Sequence, residues 1–148
     1  MTQTVDGITG ANLKIEWSEN GSVWTDISGS TNSIEIGGGD RNVAEAFTFV
    51  GDTPILGVGK RGTLEMTVNV IYTETTGEGF EAVRDNYEGG LKGYIRYSPR
   101  GGSTGQKQYT SDPGYISAFQ YPGAKAEGSE MTMCTFVLKT PKLTPSVI

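Results

Sequence analysis

Residues 64–71, LEMTVNVI, alternate without a fault: Leu64, Met66, Val68 and Val70 fall on one side, Glu65, Thr67, Asn69 and Ile71 on the other. Only an extended chain places every second side chain on one face, so this run predicts a β-strand with one face in a core. One strand buries nothing alone, and the rest of the chain must supply its partners.

It does so repeatedly. LKIEW (13–17) sets Leu13, Ile15 and Trp17 against Lys14 and Glu16. Asn20-Gly21 then marks a hairpin, because both residue types tolerate positive φ, and SVWTDI returns as the partner. SIEI (33–36) is a short strand that GGGDRN (37–42) breaks with three consecutive glycines. VAEAFTFV (43–50), LKGYIRYS (91–98), a short piece around 106–110, YISAFQY (115–121) and EMTMCTFVLK (130–139) also read as strands. SDPG (111–114) is a tight turn and PGAKAEGS (122–129) a polar loop. One helix is expected in EGFEAVRDNYEGG. Phe80, Val83 and Tyr87 share a face, Arg84 can reach Glu88 one turn on, and Gly89-Gly90 end it. The tail TPKLTPSVI carries two prolines and reads as an extended arm over 140–148. The expectation is a mainly β chain, one domain over residues 1–148: a β-sandwich or barrel of about eight or nine strands with one flanking α-helix.

Composition narrows the chemistry. The 148 residues contain no histidine and one cysteine, Cys134. Triads that need histidine are excluded, and a structural zinc site lacks ligands. No disulfide framework can form, and Cys134, mid-strand, reads as a small buried hydrophobe. No cofactor and no metal are expected. The start has no basic segment followed by an apolar run, and no stretch reaches the roughly 18 apolar residues of a membrane span. A soluble protein made in a cytoplasm is the expectation. The net charge of −5 argues against tight wrapping of nucleic acid. Twenty-two glycines, about twice the usual ~7 % share, imply many turns and long loops.

The segment GDTPILGVGKRG (51–62) is the sharpest local question. A phosphate loop reads G-x-x-x-x-G-K-[ST] and opens a helix. Here Gly59-Lys60 match, but Pro54 takes the first glycine position, Arg61 takes the hydroxyl position, and a strand follows. The segment therefore reads as a mobile excursion between two strands, too rich in glycine for a regular element. Ile55, Leu56 and Val58 within it either dock on a partner or tuck onto the chain's own core. Glu45, Glu65, Glu74, Glu78 and Glu81 could supply a carboxylate pair, but nothing places two across a cleft, and solvated strand faces are the plainer reading. Tyr94, Tyr97, Tyr109, Tyr115 and Tyr121 could form a sugar-binding platform, an interface anchor, or cross-strand packing.

Together, the WSENGSVWTDIS hairpin, GGGDRN, GDTPILGVGKRG, EMTVNVIYTE, the single helix EGFEAVRDNYEGG and GYIRYSPRG resemble the major tail tube protein of long-tailed bacteriophages, along nearly the whole chain. The resemblance implies a non-enzymatic structural protein. Six copies close a ring whose strands join into an inner barrel. Rings stack into a tube through which the genome DNA passes without specific binding. Loops and terminal arms bridge successive rings and order on assembly. Its partners are then itself and other tail proteins (tape measure, terminator, baseplate or tip), with no membrane, in a virion tail assembled in the host cytoplasm. On this basis Asp40, Arg41, Ile55, Leu56, Val58, Lys60, Arg61, Leu143 and Ile148 are expected at subunit contacts, and Glu45 and Glu65 facing the lumen. A tail terminator or neck protein of similar fold, and an Ig-like carbohydrate-binding module, are the alternatives; an enzyme using carboxylates, lysine or tyrosine is a third class.

Overall fold

A computed structural model describes residues 2–148. It contains β1 (Lys14–Ser18), β2 (Thr25–Asp26), β3 (Thr31–Gly38), β4 (Arg41–Ala46), β5 (Ile55–Arg61), β6 (Leu64–Ile71), α1 (Gly79–Gly89), β7 (Lys92–Ser98), β8 (Lys107–Ser111), β9 (Gly114–Phe119), β10 (Met133–Thr140) and β11 (Leu143–Val147). The chain is mainly β with one helix, as its alternation predicts. The eleven strands among the described residues exceed the expected eight or nine, because two segments, one read as loop and one as tail, also pair.

Two antiparallel sheets share β7. The first runs β2-β1-β7-β8-β11; the second runs β7-β9-β10-β6-β3. Between them lies the core: Ile15 and Trp17 from one sheet, Met66, Val68, Val70, Phe136 and Leu138 from the other, with Ile95 on the shared strand. The faces of β6 fall as the alternation requires, with Met66, Val68 and Val70 fully buried. Trp17 meets Phe136 edge-on, ring centroids 6.3 Å apart. Its indole passes so close to Gly93 that any Cβ there would overlap the ring. Cys134 is buried in β10, and burial pushes its thiol above the ordinary value.

Helix α1 packs on the sandwich, against β9, β6 and β1. Phe80 and Val83 are buried against it, and a Cβ at Gly79 would come within 2.8 Å of Val70 Cγ1. The Gly79 N–H donates to Ser30 Oγ at 2.9 Å, which satisfies one of the helix's first free donors. Gly90 ends it in the left-handed conformation, as its position predicts. Arg84, however, pairs with Glu81 at 3.2 Å rather than Glu88; Glu88 instead accepts the Tyr121 hydroxyl.

Other local expectations fail for identifiable reasons. Asn20 keeps negative φ and only Gly21 is positive. The Asn20 Oδ1 accepts from the N–H groups of Ser22 (2.8 Å) and Val23 (2.9 Å), an Asx-type turn that gives a longer loop than a two-residue hairpin. The tail is extended and also paired: β11 joins the sheet edge beside β8 across Leu143–Val147, and Ile148 exchanges backbone bonds with Gln106 and Gly105. The Ile148 pairing directs its N–H and C=O toward β8, so by alternation the Pro145 nitrogen faces the outer edge, where no ladder donor is needed.

Candidate assembly arm

Residues 37–42 and 51–62 are not the loops that their glycines suggest, whereas the strand expected at 43–50 is present over its first half. Gly37 and Gly38 belong to β3, Arg41 already starts β4, and Ile55–Arg61 is the regular strand β5. β4 and β5 form their own two-stranded sheet, with Val43 opposite Val58, Ala44 opposite Gly57, Glu45 opposite Leu56 and Ala46 opposite Ile55. The long excursion is therefore a β-hairpin that prolongs the β3–β6 pair. Two backbone bonds carry the ladder through the joint: Gly39 N–H to Thr63 O at 3.0 Å, and Gly62 N–H to Asp40 O at 2.9 Å.

The joint needs its glycines. Gly38 and Gly39 both sit at positive φ, +74° and +73°, and a Cβ on Gly39 would lie 2.9 Å from Leu64 Cδ2. Two successive residues at positive φ suit only glycine, so the joint depends on both. Gly57 and Gly59, by contrast, have no positive φ and lie in ordinary extended backbone. GVGKRG (57–62) is thus mostly strand, with no helix behind it to hold a phosphate.

Every residue of β4 and β5 is exposed. Val43, Leu56 and Val58 share one face with Glu45, whereas Ile55 shares the other with Ala44, Ala46 and Gly57. Ile55, Leu56 and Val58 are 64 %, 65 % and 67 % exposed, so they do not tuck onto the chain's own core. The tip adds Phe47, Phe49 and Val50, also exposed. Asp40 and Arg41 lie at the joint, and the Arg41 guanidinium donates to Gly59 O at 3.1 Å. Neither Lys60 nor Arg61 makes an ion pair among the described residues.

Three expected site residues fall elsewhere. Leu143 packs against the body's core, which removes it from the free apolar surface; Ile148 is 40 % exposed. Glu65 lies on the second sheet, paired with Lys139 at 3.4 Å, while Glu45 lies on the arm, so the two carboxylates stand on different sheets. Four of the five tyrosines pack on neighbouring rings: Tyr97 stacks on Tyr109, Tyr94 meets Trp24 edge-on, and Tyr121 packs on Phe80 and Phe119, while the exposed Tyr115 has Lys92 Nζ 6.0 Å from its ring centroid. The sequence reading missed Phe47, Phe49 and Val50 as exposed apolar groups. A strand assigned through residue 50 had given Phe47 and Phe49 a face to share with Val43.

No protein-family model matches the sequence, and no curated protein matches it. Solved structures do match in fold. A chain of the sheath-tube complex of an extracellular contractile injection system (PVC, extended state) superposes with a TM-score of 0.72 at 13 % identity, over 100 % of both chains. A chain of the PVC sheath/tube terminator gives 0.71 at 14 %, covering 95 % of this chain and 97 % of that one. The SPP1 tail tube gives 0.73 at 15 %, over 96 % of this chain and 80 % of that one. From end to end, then, this chain has the fold found in tail and tube assemblies.

Proposed function

We propose that this chain is a tail tube subunit: a structural protein, six copies to a ring, with rings stacked into the tube of a phage-like tail. The observation that carries the reading is the arm. A two-stranded hairpin is marginal alone, yet this one projects Val43, Phe47, Phe49, Ile55, Leu56 and Val58 into solvent beside a body with a complete core. Exposed apolar surface of that kind marks a contact with another protein. The end-to-end fold likeness to tube-complex chains supports a second copy as that protein.

On this reading Asp40, Arg41, Ile55, Leu56, Val58, Lys60 and Arg61 act in subunit contacts. Glu65 is the candidate lumen residue, and a net charge of −5 lets genome DNA slide rather than stick. The protein works in a virion tail, assembled in the host cytoplasm with tape-measure, terminator and baseplate proteins, without catalysis and without a membrane. A terminator role is the second reading, favoured by the likeness to the PVC terminator chain.

Negative-stain microscopy of the concentrated protein, with light scattering, separates the readings. Hollow tubes of stacked rings are expected. Single rings that never stack would assign the terminator role, and a monomer at every concentration would overturn both.

A further inference from the structure

Of the six asparagines in the chain, only Asn20 precedes a glycine. That pair carries a chemistry of its own. The backbone nitrogen of the following residue can attack the asparagine Cγ, and glycine, with no side chain, crowds the approach least. The Gly21 N–H proton passes to solvent base, the bond from Gly21 N to Cγ forms, and the bond from Cγ to the side-chain nitrogen breaks. That nitrogen takes a proton from water and leaves as ammonia. Water then opens the cyclic imide. Cleavage between nitrogen and Cγ gives aspartate; cleavage of the original peptide bond gives isoaspartate, with the main chain rerouted through the side chain. Asn20 is exposed, so water reaches it.

The folded turn opposes this reaction. In the imide, Cγ takes the direction in which the Gly21 amide hydrogen points, because the nitrogen stays planar. In the folded chain Ser18 Oγ fills that direction, accepting from the Gly21 N–H at 2.8 Å. The carboxamide is also held. Asn20 Oδ1 accepts from the N–H groups of Ser22 at 2.8 Å and Val23 at 2.9 Å, and from the Ser18 hydroxyl at 3.2 Å. Those donors draw electrons from Cγ and, taken alone, would speed attack. Position decides the outcome, since a nucleophile kept from near-attack geometry loses far more than polarisation adds. Ser18 is 1 % exposed and lies at the end of β1 opposite Tyr94, so the sheet rather than the turn fixes its place.

We propose that Asn20-Gly21 is a latent deamidation site and that Ser18 is its lock, so the site reacts only when the turn opens. The inference stands apart from the tube reading. The two products differ in consequence. Aspartate keeps an acceptor oxygen for the Ser22 and Val23 N–H groups. Isoaspartate adds a methylene to the main chain beside Gly21, where a Cβ would already lie 3.2 Å from Tyr94 Cζ. Tyr94 meets Trp24 edge-on, and the Arg96 guanidinium stands 4.2 Å from the Trp24 ring centroid. The lock therefore protects the packing around the β1–β2 turn as well as one side chain.

Peptide mapping by mass spectrometry, which separates asparagine, aspartate and isoaspartate at residue 20, follows the reaction in mildly alkaline buffer. The folded protein should convert slowly and the same chain in urea rapidly. Ser18→Ala removes the acceptor and should speed conversion of the folded protein about five- to tenfold, the worth of one hydrogen bond. Ser18→Thr keeps the hydroxyl and should stay slow. Val83→Ala opens a cavity at a buried helix position and should lower the melting temperature without speeding conversion. Hydrogen exchange of the Gly21 amide in the unaltered protein needs no variant, and protection is expected. Equal rates in buffer and in urea, or an unprotected Gly21 amide, would overturn the proposal. A folded Ser18→Ala protein that converts no faster than the parent would do the same for Ser18, as would Val83→Ala accelerating conversion equally.

Discussion

Replacing Ile55 and Leu56 with serine should leave the protein folded and suppress its assembly. In the monomer the two side chains are 64 % and 65 % exposed, and neither belongs to the core. Surface substitutions of this kind shift stability by only about 0.5 kcal/mol, and the melting temperature of a chain this size should move by about 1–2 °C. Assembly is different. Fully burying a leucine or isoleucine is worth about 1.5–3 kcal/mol. With two-thirds of each side chain still to be covered, the pair should contribute about 2–4 kcal/mol per contact, or roughly a 30- to 1,000-fold rise in the critical concentration for tube formation. Sedimentation across a dilution series measures that concentration directly. The single variants add resolution, because Leu56 lies on the Val43–Val58 face and Ile55 on the opposite one. An unchanged critical concentration would refute the argument that the arm's apolar surface drives assembly. A melting temperature lowered by many degrees would refute the premise that these side chains stand free of the body.

Three further outcomes follow from the body. Gly93→Ala should destabilise by about 3 kcal/mol or more through overpacking, since a methyl cannot share space with the Trp17 indole; thermal or urea melting reads it. Arg96→Ala should cost about 3 kcal/mol in the same assay, because Arg96 holds the nearly buried Glu16 through two hydrogen bonds, at 2.8 and 3.2 Å, and leaves it only Lys14 at 3.8 Å. Burial raises the Cys134 thiol above 9.0 and the Tyr97 hydroxyl above 10.0. The unfolded chain then holds fewer of these protons than the folded one above pH 9. Their contribution is fully present below the unfolded values and is lost as pH rises through the folded ones, so stability should fall on the alkaline side. Cys134→Val should remove the thiol's share of that slope.

The sequence by itself determined what depends on local order. The alternation over 64–71 fixed which side of β6 enters the core, because side-chain period follows from an extended backbone whatever its neighbours. The helix and its stop at Gly90 were legible for the same reason: an apolar stripe and a residue tolerant of positive φ are local properties. Cys134 was legible as a buried thiol from its place in an alternating run. What depends on pairing was decided by tertiary structure. Ile55–Arg61 contains two glycines and reads as loop, yet it is strand, because the ladder between β3 and β6 continues through the joint and supplies hydrogen bonds that local propensity does not count. The tail reads as an extended arm, but its pairing with β8, more than thirty residues away in sequence, is not legible there. The choice between burial and exposure for Ile55, Leu56 and Val58 was open in the sequence, since the same apolar side chains suit a core or an interface. The separate β4–β5 hairpin leaves them uncovered, and that placement belongs to the fold rather than to any short stretch of chain.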